Sequence, residues 1–177
     1  MLTFLIGGAR SGKSALALEL ATAHMGDVVY VATSPRIEGD VDLDRRIDAH
    51  RAERPAAWTT IEEPLDLTSA LALAADSFVI VDCITLWVSN LLWRGDDEDV
   101  ITGAARDAAT AAATRTAPTV VISNEVGLGV HPATDVGRQF RDVLGRVNQI
   151  WAAAAERSLL LVAGRALPLH DPRTVLA

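Results

Sequence analysis

Cysteine is almost missing from this 177-residue chain, with Cys83 its one copy. No disulfide framework can form within the chain, so the composition predicts a reducing compartment, with Cys83 a small buried hydrophobe in an apolar run. Aromatic residues are scarce at 5%. Trp58, Trp87, Trp93 and Trp151 are scattered rather than interleaved with basic residues, which predicts core or interface positions and excludes a base-stacking platform. No apolar run reaches the ~18 residues of a membrane span. The chain opens on a strand pattern rather than a signal peptide, which predicts a cytoplasmic protein. An excess of positive charge is also lacking. A net charge of −7 excludes a general nucleic-acid binder, so any polyphosphate must meet locally concentrated cations.

What is present is apolar bulk. Half of the residues are hydrophobic, enough for a single domain over 1–177 with one core. Apolar runs rich in Val and Ile recur at Leu2 to Ile6, Val28 to Ala32, Phe78 to Val81, Thr119 to Ser123 and Leu159 to Ala163. Runs apolar throughout suit strands buried on both faces. Helical patterns lie between them, at Lys13 to Ala23, Pro64 to Ala75, Thr85 to Trp93, Ile101 to Thr116 and Val136 to Glu156. The alternation predicts an α/β fold of the P-loop NTPase type, with a mostly parallel central sheet and helices on both faces. The alanine-rich stretch Gly103 to Thr116 reads as a covering helix. The acidic run Gly95 to Asp99 reads as a solvated loop, with a metal site as the alternative. The tail from Ala166 is either frayed or docked on a neighbouring subunit.

The chemistry is concentrated at the N-terminus. Gly7-Gly8-Ala9-Arg10-Ser11-Gly12-Lys13-Ser14 fits G-x-x-x-x-G-K-[ST] between an apolar run and a helical pattern, the strand-loop-helix setting of a phosphate-binding loop. In such a loop, backbone N–H groups and the helix N-terminus cradle phosphates. Lys13 adds a cation for the β- and γ-phosphates, and Ser14 a hydroxyl for Mg²⁺. The run Phe78 to Val81 ends in Asp82, placed to hold Mg²⁺ beside that loop or to cap the helix near Thr85.

The segment Asp42 to Pro55 is mostly charged, so it reads as a solvated helix with intrahelical ion pairs. Arg46, His50 and Arg54 fall at i, i+4 and i+8. An imidazole between two guanidiniums also suits a triphosphate, and neutral imidazole is a competent nucleophile. His24, His131 and His170 have no such company and read as surface or capping residues. The loop Asn124 to Pro132 follows a strand at the edge where parallel sheets bind ligands, and its glycines permit either a tight turn or close substrate approach.

Several segments together resemble one family. These are the Gly7 to Ser14 loop, Tyr30-Val31-Ala32-Thr33-Ser34, His50 to Pro55 with Trp58 and Glu62, Asp82 to Trp87 with Asn90, Asn124 to Gly129, and Arg141 to Gln149. In order and spacing they look like the bifunctional adenosylcobinamide kinase / adenosylcobinamide-phosphate guanylyltransferases of cobalamin biosynthesis. The resemblance implies phosphorylation of the aminopropanol hydroxyl of adenosylcobinamide with ATP or GTP. It further implies transfer of GMP from GTP to adenosylcobinamide phosphate through a GMP-histidine, with His50 the nucleophile and Lys13 the catalytic cation. It implies nucleotide contacts from Gly7, Gly8, Ala9, Arg10, Ser11, Gly12, Lys13, Ser14, Ala32, Thr33, Ser34, Arg51, Ala52, Glu53, Arg54, Glu62 and Asp82, and Mg²⁺ ligands in Ser14 and Asp82. A homotrimer is implied as well.

Two rivals share the phosphate loop. A small-molecule kinase without nucleotidyl transfer needs only that loop and Asp82. A GTP-dependent switch needs Asn-Lys-x-Asp for guanine, and the chain has none.

Overall fold

The computed structural model describes residues 1–35, 39, 41–74 and 76–176, and within 41–46 the side chains of Asp42, Leu43 and Arg46 lie outside the description. The N-terminal apolar run forms β1 (Leu2–Gly7), buried along its whole length. It leads through the glycine-rich loop into α1 (Lys13–Thr22). Then follow β2 (Val28–Ala32), α2 (Val41–Ala52), β3 (Thr59–Glu62), α3 (Leu67–Leu73), β4 (Phe78–Asp82), α4 (Ile84–Arg94), α5 (Glu98–Thr114), β5 (Thr119–Asn124), α6 (Asp135–Ala154), β6 (Arg157–Val162), β7 (Arg165–Pro168) and α7 (Pro172–Val175). The strand order is β3-β2-β4-β5-β1-β6-β7. All neighbouring pairs are parallel except β6 with β7. The α/β sheet read from the sequence is present.

Side-chain alternation along the strands divides the core. On one face Leu2, Phe4 and Ile6 share a core with α3, α4, α5 and α6 through Leu71, Trp87, Leu91, Ile101, Leu144 and Trp151. On the other, Leu5, Tyr30 and Ile80 pack with Ala17 and Ala21 of α1. In α5 the buried residues include Ala105, Ala108, Ala109 and Ala112, and in α6 Val143, Leu144, Val147 and Trp151. Methyl side chains at helical spacing allow close helix approach, so the alanine-rich stretch is a core element.

The sequence pattern missed two edge strands. β3 is only four residues long and half exposed, so it lacks the apolar run that marks a buried strand. β7 is exposed throughout. It turns back on β6 through Ala163 and Gly164, both at positive φ (50° and 72°). The first part of the tail is therefore not frayed: it pairs with its own sheet. The acidic run is structural. Asp97 caps α5, accepting from the Val100 N–H at 2.9 Å, Asp96 pairs with Arg94, and Glu98 pairs with Arg146. Trp87 and Trp151 are in the core, whereas Trp93 is 94% exposed. His24 lies against Phe78, ring centroids 5.4 Å apart.

Candidate functional site

Parallel register brings the C-terminal ends of five strands to one edge. Glu62, Ala32 and Asp82 are neighbours at the ends of β3, β2 and β4, and Gly7 is paired with Asn124 at the ends of β1 and β5. At this edge opens a cavity of about 710 Å³, where open parallel sheets place their ligands.

The glycine-rich loop forms its floor. A Cβ at Gly7 would stand 2.3 Å from the Leu161 carbonyl oxygen, so only glycine fits between β1 and β6. Gly12 adopts φ 101° as it enters α1, a conformation that favours glycine. From the far side, the Gly164 N–H in the β6–β7 turn donates to the Ser11 carbonyl at 2.9 Å. The Lys13 ammonium is buried and donates to the carbonyls of Gly7 (2.8 Å) and Gly8 (2.7 Å) and to the Ser11 hydroxyl (3.3 Å). Burial pushes its pKa below the usual ammonium range, against the opposing pull of Cys83 and Asp82.

Asp82 stands above this floor. Its Oδ2 accepts from the Tyr30 hydroxyl at 2.5 Å and from the Ser14 hydroxyl at 3.5 Å. The helix-cap alternative for Asp82 is not what forms: the residue at the cap of α4 is Cys83, with no side-chain cap bond. Cys83 is buried, and that burial pushes its thiol up to about 11, so it is an inert wall of the cavity.

The opposite wall comes from α2 and the chain after it. His50 faces the cavity together with Arg51, Glu53 and Arg54. Its Nδ1 lies 3.4 Å from Glu53 Oε2, and Arg51 lies 3.9 Å from Glu62. The stripe of Arg46, His50 and Arg54 on one helix does not form as read from the spacing. α2 ends at Ala52, because Pro55 disfavours helical geometry in the residue before it. Arg54 instead lays its guanidinium 3.4 Å from the centroid of the Tyr30 ring and donates to Thr60 at 3.5 Å. The side chain of Arg46 is outside the described residues.

Ala9, Arg10, Ser11, Gly12, Lys13, Ser14, Ala32, Ser34, His50, Arg51, Glu53, Arg54, Glu62 and Asp82 all line the cavity. Thr33 does not. It is fully buried, and its hydroxyl donates to the Cys83 carbonyl and accepts from the Cys83 N–H, both at 2.8 Å. Gly7 and Gly8 take part through their carbonyls to Lys13, and Ala52 is exposed outside the lining. His131 is also away from the cavity, bonded to Arg141 at 2.9 Å.

The sequence profile of the cobinamide kinase / cobinamide phosphate guanyltransferase family matches residues 3–169. The chain belongs to that family. The bifunctional adenosylcobalamin biosynthesis protein CobP of Pseudomonas aeruginosa is 40% identical over 171 residues, covering 96% of this chain and 97% of that protein. The protein of the same description, CobU, from Salmonella typhimurium is 39% identical over 181 residues, 93% of this chain and 97% of that one. Among solved structures, a type III secretion ATPase of pathogenic bacteria aligns with TM-score 0.57 at 11% identity, covering 91% of this chain and 51% of its own. A KaiC-like protein from Pyrococcus horikoshii aligns with TM-score 0.51 at 16% identity, covering 90% and 69%. These two likenesses extend to the fold, which is that of phosphate-loop NTPases.

Within this family member, the cavity is also lined by Tyr30, Thr85 and Asn124, which lie in segments that carry the resemblance but were given no contact to nucleotide or metal. Thr85 accepts the Asn124 N–H at 2.8 Å, and the Asn148 amide donates to the Asn124 carbonyl at 3.2 Å. The backbone of Asn124 is thus fixed from both sides at the cavity edge. The signal for Asn124 was its place directly after an apolar strand at the ligand-binding edge; its register with Gly7 is a strand pairing that sequence does not display. A divalent cation fits one corner of the site. Ser14 and Asp82 offer hard oxygen donors 3.5 Å apart beside the loop, the donor type Mg²⁺ takes when phosphates and water complete its shell.

Proposed function

We propose that this chain phosphorylates the aminopropanol hydroxyl of adenosylcobinamide with ATP or GTP, and then transfers GMP from GTP to the new phosphate. The observation that carries this reading is that a phosphate loop and a histidine-bearing segment open into one cavity. In the first reaction the substrate hydroxyl oxygen attacks Pγ, the bond from Pγ to the β,γ-bridging oxygen breaks, and the nucleoside diphosphate leaves. In the second, a His50 ring nitrogen attacks Pα and pyrophosphate leaves with the α,β-bridging oxygen. A phosphate oxygen of adenosylcobinamide phosphate then attacks the same phosphorus, and the P–N bond breaks to free His50.

One cradle serves both reactions. Charge neutralised on the β- and γ-phosphates assists γ-transfer, and it equally stabilises departing pyrophosphate. Lys13 and the Gly7 to Ser14 loop supply this from the protein. Ser14 and Asp82 would hold Mg²⁺, which would supply further positive charge against the phosphates. Arg51 and Arg54 place positive charge on the His50 side. Glu62, with Ala32, Thr33 and Ser34, completes the nucleotide contacts along the strand ends, Thr33 by fixing the chain beside Asp82 rather than by direct contact. The protein acts in the cytoplasm as one domain over 1–177 that assembles into a homotrimer.

Incubation with α-phosphate-labelled GTP tests the reading. Label should remain on denatured protein, survive alkali and leave in acid, because a protonated imidazole is a good leaving group. His50→Ala should keep phosphorylation of adenosylcobinamide and lose both the labelled protein and the GDP-linked product. Label mapped to another histidine, or full guanylyl transfer in the variant, would overturn the assignment; a wild type that phosphorylates but takes no label is the kinase alone.

A further inference from the structure

Neither reaction as written uses Tyr30, the one tyrosine of the chain, yet it touches both sides of the cavity. On β2 it is in register with Thr60 of β3 and Ile80 of β4. Strand alternation puts Asp82, two residues beyond Ile80, on the same face. The Tyr30 hydroxyl donates to Asp82 Oδ2 at 2.5 Å, the oxygen that also accepts from Ser14. Its ring carries the Arg54 guanidinium at 3.4 Å, and the same guanidinium donates to Thr60, the cross-strand neighbour. Among the described residues the buried Arg54 Nε has no hydrogen-bond partner, and the ring and Thr60 hold this group. The phenol is itself mostly buried, and burial together with the Asp82 carboxylate raises its pKa well above the usual phenol value.

We propose that Tyr30 is a positioning residue for both transfers: its hydroxyl orients the Asp82 carboxylate toward the metal corner, and its ring seats Arg54 and with it the chain leaving the His50 helix. This rests on the two-reaction reading above. The two arms are chemically separable. Removing the hydroxyl leaves Asp82 without its short donor and spares the stack, whereas removing the ring also unseats Arg54. Partners that orient a metal ligand commonly control affinity by 10- to 100-fold. A desolvated cation–π contact is of the size that changes a population about tenfold.

The test compares Tyr30→Phe with Tyr30→Leu. Binding of Mn²⁺ in the presence of a non-hydrolysable GTP analogue, followed by electron paramagnetic resonance, reads the first arm without turnover. Tyr30→Phe should weaken it about tenfold and lower both transfers together. Amide hydrogen exchange over residues 51–58 reads the second arm. It should be unchanged in Tyr30→Phe and about tenfold faster in Tyr30→Leu, where labelling of His50 should fall more than phosphorylation does. Tyr30→Met, which has no π face, replaces leucine should that variant not fold. Wild-type Mn²⁺ binding in Tyr30→Phe overturns the hydroxyl role, and equal exchange in the two variants overturns the ring role. A wild type that takes no GMP label sinks the two-reaction reading alone, because Mn²⁺ binding and exchange still decide both arms.

Discussion

Lys13 shows how one side chain serves two states of the loop. It is the only lysine of the chain, and its ammonium is folded onto the carbonyls of Gly7 and Gly8. A flexible four-carbon stem can re-aim such a point charge from carbonyls to phosphate oxygens with little backbone movement. Lys13→Ala should depress both phosphorylation and guanylyl transfer by ~10²-fold or more, the usual loss for one charge-stabilising contact. The fold should persist, because the Gly7 carbonyl also accepts from the Glu125 N–H at 3.2 Å and Gly8 is open to water. Steady-state rates of each reaction, with a thermal melt on the same sample, check this. A normal rate for either reaction in a folded variant ends the idea of a shared cradle.

At the scale of elements, α3, α5, α6 and α7 each start at a side chain that accepts a backbone N–H of the first turn. α3 is seven residues long, too short to persist alone, and Asp66 starts it by accepting from the Ser69 N–H at 3.0 Å and the Ser69 hydroxyl at 2.7 Å. These bonds from Ser69, side chain first, hold the Asp66 carboxyl below the usual carboxylate range. Asp66→Ala should cost about 1 kcal/mol. At this chain length that lowers the melting temperature by roughly 2–4 °C. The sign with pH follows from the depressed folded pKa. The contribution of Asp66 is fully present above the unfolded value, about 3.9, and is lost as pH falls through the lower folded value. The gap between wild type and variant should therefore be constant near neutrality and close in acid. Paired melts at pH 7 and below pH 4 measure it, and a gap that widens in acid would contradict the cap assignment.

Across the whole molecule, stability and chemistry occupy opposite ends of the sheet. Arg115, just before β5, donates to the Leu71 carbonyl at the end of α3 (2.6 Å), the Ser77 carbonyl before β4 (2.6 Å) and the Thr119 hydroxyl (3.1 Å). One planar guanidinium thus joins three elements, with a fork that lysine cannot reproduce. Arg115→Ala removes all three bonds and should cost about 3 kcal/mol. Since strands of this length span ~17–20 Å, the catalytic edge is remote, and turnover of the folded variant should be that of wild type. Urea unfolding should show a lower midpoint with the slope unchanged. A loss of turnover in fully folded protein would mean that the two ends are coupled.

What could be read from the residues alone was whatever neighbours in the chain determine. Gly7 to Ser14 announces its loop because strand, glycines and helix are contiguous, and β1, β2, β4 and β5 announce themselves because a strand covered on both faces must be apolar throughout. β3 and β7 lie at exposed edges, where no such demand leaves a pattern, and both went unread. His50 and Arg54 share a short segment, so both could be nominated, yet their helical alignment failed at Pro55, where local sterics overrule spacing. Strand pairing decided the rest. It alone sets Tyr30 between Asp82 and Arg54, puts Asn124 beside Gly7 and turns Thr33 inward. Partners separated by tens of residues meet through the order and register of the sheet, and no short-range preference in the sequence encodes that order.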